Sequence, residues 1–242
     1  MSEVLQLEKL NKAFGAVVVS DNLSLSVASG EALGIIGPNG AGKTSMFNLI
    51  TGALKPDSGK ILFDGNDITR MSISDRARSG MARSFQVPQP FSGLTVFENA
   101  MVAATQAANL RGAPARQLCL ENLERTGLLH RANSQAGSLT LLERKRLELT
   151  RALCAKPKLL LLDEIAGGLT EKECVSLIRT VKTIHQSGVA IVWIEHVVHA
   201  LIAVVDRLIV LNFGSKIAEG EARQIMQSPE VQEIYLGIEV NA

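Results

Sequence analysis

Gly37-Pro38-Asn39-Gly40-Ala41-Gly42-Lys43-Thr44 satisfies the pattern G-x-x-x-x-G-K-[ST], and its surroundings suit the pattern. Before it, Ala32 to Ile36 is a short apolar run that reads as a buried strand. After it, Met46, Phe47, Leu49 and Ile50 fall on a helix that stops at Gly52. Glycines let the backbone curl so that successive N–H groups converge on phosphate oxygens. A helix starting near Gly42 adds the positive end of its dipole. Pro38, Asn39, Gly40 and Ala41 complete the loop, and Ser45 sits in the first helical turn. Lys43 reaches the β- and γ-phosphates as a point charge, and the Thr44 hydroxyl suits Mg²⁺, which prefers hard oxygen ligands. The alternative is a glycine-rich turn that merely connects strand and helix. Against it stand all four fixed residues of the pattern in the right context.

A chain with such a cradle needs an acidic residue at the end of another buried strand if it is to hydrolyse a nucleotide. Leu159-Leu160-Leu161-Leu162-Asp163 supplies one. Asp163 would hold Mg²⁺, directly or through water, and Glu164 would orient and deprotonate the attacking water. Alone, an apolar run capped by Asp-Glu says little, since many core strands end in acidic residues. Joined to the cradle, it indicates a P-loop ATPase.

Working outward, Leu23, Leu25 and Val27 alternate with Asn22, Ser24 and Ser26, the period of a half-buried strand. Ile61-Leu62-Phe63 runs into the tight-turn dipeptide Asp64-Gly65. The first seventy residues therefore contain an antiparallel sheet interrupted by the cradle unit. From about Pro88 to Leu149 the chain turns helical, with candidate helices over 96–110 and 117–129 separated by the breaker run Gly112-Ala113-Pro114. It then returns to α/β: a helix over 171–186 and buried strands over 189–194 and 208–211. Buried strands alternating with helices imply a parallel sheet with right-handed crossovers, the helical stretch being an insertion into it.

The chain has 242 residues, ample for one large domain, and 46% of them are hydrophobic, which excludes a chain disordered throughout. A net charge of +1 gives no basic field for nucleic acid. Cys119, Cys154 and Cys174 lack metal-ligand spacing and read as reduced thiols of a cytosolic protein. No signal peptide is evident at the N-terminus. The longest apolar run, between Gly188 and Asp206, is broken by Glu195, His196 and His199, so it reads as a buried strand followed by a helix and not as a membrane span.

At this point the chain resembles the ATP-binding subunits of ABC transporters, from Val4 to about Gly237. Ala82-Arg83-Ser84-Phe85-Gln86, Leu94-Thr95-Val96-Phe97-Glu98-Asn99 and the tail Leu211-Asn212-Phe213-Gly214-Ser215-Lys216-Ile217-Ala218-Glu219-Gly220, running on to Tyr235-Leu236-Gly237, resemble the branched-chain amino acid importer type. The resemblance implies an α/β fold of the P-loop NTPase (RecA-type) class: a parallel-sheet core, an antiparallel β subdomain and an inserted α-helical subdomain. Residues 1–86 and 150–242 would form the nucleotide-binding core, and 87–149 the helical subdomain. It also implies ATP with Mg²⁺, a second ATPase subunit that is an identical or a related chain, integral membrane permeases and, indirectly, a periplasmic or extracellular solute-binding protein. Its place would be the cytoplasmic face of the inner membrane.

Residue by residue, the resemblance makes Phe14 the aromatic that stacks on adenine, against an ordinary core or turn phenylalanine. Gln86 becomes the glutamine that touches Mg²⁺ and the attacking water, against a polar residue at a strand end. His196 becomes the switch histidine at the γ-phosphate, acting with Glu164 and Lys43; His199 keeps a purely structural reading. Two rival classes stay open: a non-hydrolysing nucleotide-binding subunit, and the ATPase of a lipopolysaccharide-type export system. A soluble repair or translation ATPase fits less well, because those carry long coiled-coil insertions or two ATPase halves.

The chain also departs from the family pattern. The usual Leu-Ser-Gly-Gly-Gln signature is replaced by Leu139-Thr140-Leu141-Leu142-Glu143, which lacks the glycine expected at position 142. Thr140-Leu141-Leu142-Glu143 is also a T-x-x-E capping box opening a helix over 144–153. Thr140 therefore either only caps a helix or also meets phosphate bound by a second subunit. Ile165 stands where proline usually follows Asp-Glu, and Thr170 where Asp or Asn is common.

Overall fold

The computed structural model describes residues 2–236; Met1 and Gly237, the last residue of the tail motif, lie outside the described residues. The chain opens with two long strands, β1 (Glu3–Phe14) and β2 (Val17–Ala28), and β2 buries Leu23, Leu25 and Val27 as their alternation predicts. Next come β3 (Ala32–Ile36), α1 (Lys43–Thr51), β4 (Ser58–Phe63), β5 (Asn66–Asp67), α2 (Ile73–Arg78) and β6 (Met81–Arg83). Three helices follow, α3 (Val96–Gln106), α4 (Gly112–Arg125) and α5 (Leu141–Cys154). The remainder alternates: β7 (Leu159–Asp163), α6 (Glu171–Gln186), β8 (Ala190–Ile194), α7 (Val198–Ile202), β9 (Arg207–Asn212), β10 (Ser215–Gly220), α8 (Ala222–Gln227) and α9 (Pro229–Leu236).

These strands form two sheets. One is antiparallel, in the order β2-β1-β4-β5. The other, in the order β10-β9-β3-β8-β7-β6, is parallel except for β10. Strands β3, β7 and β8 are buried along their whole length, which is why they read as continuous apolar runs and not as alternations. One apolar cluster, with Phe47, Leu49 and Ile50 of α1, fills the space between the two sheets; a second, with Trp193, Leu177 and Leu208, lies on the other face of the parallel sheet.

The helical segment departs from expectation in its bounds. Helix α3 stops at Gln106, and α4 covers 112–125 where the sequence predicts 117–129. The supposed breaker Pro114 lies in the first turn of α4, where a missing N–H forfeits no intrahelical bond. Gly127, at φ +74°, ends that helix in the left-handed conformation, so Leu129 falls into a separate short turn. Helix α5 runs through the 149/150 division, so the helical segment and the core share one continuous helix. Among the described residues, no helix is long and apolar enough to cross a membrane.

Candidate functional site

Parallel pairing sets the site. In-register pairs Ile35↔Ile194 and Asp163↔Ile194 bring the carboxyl ends of β3, β7 and β8 side by side, and Arg83↔Leu161 adds β6. In such sheets the loops leaving the carboxyl ends build the ligand crevice. Here those loops carry the Gly37–Thr44 cradle, Glu164, His196 and Gln86.

The cradle is held from behind. Gly214 donates its N–H to the Ala41 carbonyl at 3.0 Å and accepts from Asp21 N–H at 3.0 Å, pinning the loop between the β9–β10 turn and β2. Gly42 has φ +97° and lies so close to the Val19 carbonyl and to Gly214 that a Cβ has no room. Lys43 is buried, and its Nζ donates to the carbonyls of Gly37 (2.7 Å) and Pro38 (3.0 Å). Burial pushes the Lys43 ammonium below the usual lysine range, while the charges of Glu164 and Asp163 oppose that shift. Thr44 is exposed and Ser45 half-buried in the first turn of α1.

Glu164 takes a left-handed backbone, φ +46°, costly for a residue with a Cβ. The turn sends consecutive carboxylates in different directions. Asp163 Oδ2 accepts from Arg83 at 2.7 Å, and the same guanidinium donates to Asn48 Oδ1 at 2.7 Å. Glu164 instead accepts from Gln86 Nε2 at 2.5 Å through Oε2 and lies 3.0 Å from His196 Nε2 through Oε1. An ionised carboxylate only accepts, so in this arrangement Nε2 carries the imidazole hydrogen. The structure thus brings Lys43, Gln86, Asp163, Glu164 and His196 together. The hydroxyl of Thr44, the Asp163 carboxylate and the Gln86 amide oxygen are hard-oxygen groups of the kind Mg²⁺ prefers, and the Asp163 carboxylate is paired with Arg83.

Phe14 and Thr140 stand outside this cluster. Phe14 ends β1, is 55% exposed as a residue, and has the Lys12 ammonium 5.3 Å from its ring centroid. Strand β2, returning from the Phe14 hairpin, is the one that reaches Gly42 through Val19. Thr140 is exposed at the start of α5 and forms the expected capping box: Thr140 N–H donates to Glu143 Oε2 at 2.9 Å, and Glu143 N–H to Thr140 Oγ1 at 3.4 Å. Thr170 caps α6 in the same way with Glu173, so a hydroxyl does the capping that Asp or Asn would do there.

Sequence reasoning missed four residues. Arg83 and Asn48 secure Asp163, and nothing in the order of residues links positions 80 apart. Lys145 and Glu195 are both buried beside the Glu164 loop. A charge inside an apolar run was the available signal for Glu195; Lys145 left none among the neighbouring charges of α5.

The family model of ABC transporters matches residues 20–167. Among curated proteins, the chain is 35% identical over 249 residues to the high-affinity branched-chain amino acid transport ATP-binding protein LivG of Escherichia coli K12, covering 97% of this chain and 98% of LivG. It is 34% identical over 233 residues to the lipopolysaccharide export system ATP-binding protein LptB of the same strain, covering 96% and 97%. Among solved structures, the ADP conformation of MJ1267, an ATP-binding cassette of an ABC transporter, superposes with TM-score 0.90 at 31% identity, covering 98% of this chain and all of that one.

Proposed function

This chain belongs to the ABC transporter family, and on that premise we propose that it is the ATP-hydrolysing subunit of an importer for branched-chain amino acids or similar small polar solutes such as amides or urea. The observation that carries the catalytic part is the Glu164 carboxylate, held at 2.5 Å by Gln86 and 3.0 Å by His196 next to the Lys43 cradle. In this reading the adenine stacks on Phe14, and the loop amides from Gly37 to Thr44, with Lys43, hold the triphosphate. Thr44, Asp163 and Gln86 would hold Mg²⁺, which neutralises phosphate charge.

Glu164 takes a proton from the water that attacks the γ-phosphorus; a new P–O bond forms as the bond to the β-phosphate oxygen breaks. Lys43 and His196 stabilise the charge that develops, releasing ADP and phosphate. The bonded Glu164 and His196 argue against a non-hydrolysing subunit.

In the proposed cycle, two subunits sandwich ATP, and Thr140 at the N-terminus of α5 on one faces the γ-phosphate held by the other. The Thr140–Glu143 cap is then joined or displaced by phosphate on closure. Thr140→Ala removes a cap worth about 1 kcal/mol. The variant is expected to weaken ATP-driven dimerisation, measured by sedimentation, more than ATP binding to the single subunit; equal losses would refute this role.

A cavity of about 350 Å³, lined by Asn48, Arg76, Phe85, Glu148 and Arg151, lies where the core meets the helical segment, which we take as residues 87–149. It supplies a docking place for membrane permeases, at the cytoplasmic face of the membrane. LivG supports the importer reading and LptB, at nearly the same identity, an export reading. Reconstitution into vesicles with the permeases encoded beside the gene separates them. The proposal expects ATP-dependent uptake of labelled leucine or a related solute, delivered by a solute-binding protein; ATP-dependent extraction of a glycolipid would replace it with the export reading.

A further inference from the structure

Glu195 precedes His196 at the end of β8 and is 1% exposed. An ionised carboxylate in such a place is tolerated only when its oxygens are satisfied. Here, among the described residues, its hydrogen-bond donors are backbone amides of the two loops that carry the proposed catalytic groups. Oε1 accepts from Ala166 N–H at 2.5 Å, two residues beyond Glu164. Oε2 accepts from His196 N–H at 3.2 Å and Val197 N–H at 3.4 Å. An apolar side chain at 195 would leave those donors without their acceptor.

A buried cation lies near the same loop. Lys145, 3% exposed on α5, reaches the Glu164 carbonyl at 3.5 Å. Burial lowers the Lys145 ammonium and raises the Glu195 carboxyl from their ordinary values, and the attraction between the two opposes both shifts. Lys145 lies on the same helix as Thr140, a little over one turn along.

We infer that Glu195 is a positioning residue that fastens the Glu164 loop to the His196 loop as one unit, and that Lys145 ties the helix beginning at Thr140 to that unit. The inference rests on the reading of Glu164 as the base, and it adds a route by which movement of α5 reaches the hydrolytic centre of its own subunit. Glu164 and His196 must stay within hydrogen-bond reach of one another and of the attacking water. A misplacement of about 1 Å costs on the order of a hundredfold in rate.

The test compares the full-length parent, Glu195→Gln, Lys145→Met and the double variant, assayed with whatever partner subunits the parent needs for turnover. Emission of the single Trp193, two residues upstream and buried, reports whether the strand end keeps its native packing. Glu195→Gln is expected to lower kcat roughly a hundredfold while KM and ATP affinity stay within about threefold and Trp193 emission is unchanged. Lys145→Met should also lower kcat, and the double variant should lose less than the product of the two single losses, as coupled neighbours do. Turnover of Glu195→Gln within threefold of the parent, parallel loss of kcat and ATP affinity, or strictly multiplicative losses would each overturn the inference. If Glu195→Gln fails to fold, the Lys145→Met arm decides: normal turnover there overturns the link to α5, and lowered kcat with unchanged affinity supports it. A parent chain that never hydrolyses ATP removes the underlying reading of Glu164 and this inference with it, whereas an active parent with active variants removes the inference alone.

Discussion

Glu164→Gln is expected to bind ATP about as tightly as the parent chain and to release phosphate about 10²–10⁴-fold more slowly, the usual worth of a positioned general base. The substitution keeps the size and planarity of the side chain. Its amide oxygen can still accept from one of the two donors, Gln86 Nε2 or His196 Nε2, that the carboxylate meets at 2.5 and 3.0 Å, while its NH2 group faces the other and keeps the shape of the contact but not its hydrogen bond. What it cannot do is accept the proton of the attacking water. Steady-state phosphate release and equilibrium ATP binding, measured on the same preparation, separate the two effects. Undiminished turnover would take Glu164 out of the role of general base.

Gly42→Ala is expected to abolish function by a different route. At φ +97° a Cβ is strained, and its nearest neighbours are the backbone of Val19 and Gly214, which cannot swing aside like a flexible side chain. The loop must shift, and with it the amides that meet phosphate. Each charge-assisted hydrogen bond is worth about 1.5–3 kcal/mol, so losing two lowers ATP affinity at least roughly a hundredfold. The strained backbone adds about 1–3 kcal/mol of destabilisation, visible in thermal unfolding. Gly40→Ala is the control. It shares the left-handed conformation at φ +83° but has nothing within 4 Å of the added methyl group. Its loss should be confined to the backbone term, about 1–2 kcal/mol, with ATP affinity affected far less than in Gly42→Ala.

Much of the architecture was legible because burial and pattern coincide. Strands β3, β7 and β8, covered on both faces, could only be written as uninterrupted apolar runs, and the half-covered β2 as an alternation. The cradle was legible because its chemistry depends on local spacing: glycines, a lysine and a hydroxyl within eight residues. The Thr140 capping box was equally local, and the structure forms it. The bounds of α4 were not, because Pro114 reads as a helix breaker until its position in the first turn is known. Nor was the partner of Asp163, since Arg83 reaches it only once β6 pairs with β7. Glu195 was visible as a charge interrupting an apolar run, but its meaning, an acceptor shared by two loops, exists only in three dimensions. Phe14 remains a matter of resemblance: the structure exposes its ring without bringing it into the carboxylate cluster.

The most direct test of the account is a calorimetric titration of the full chain with ATP in the presence of Mg²⁺, alone and with its cognate second subunit. The account predicts saturable binding at one site per cradle in the parent, tightened when the second subunit completes the site and lost in Gly42→Ala. An absence of binding heat in the parent even with the second subunit present would contradict it.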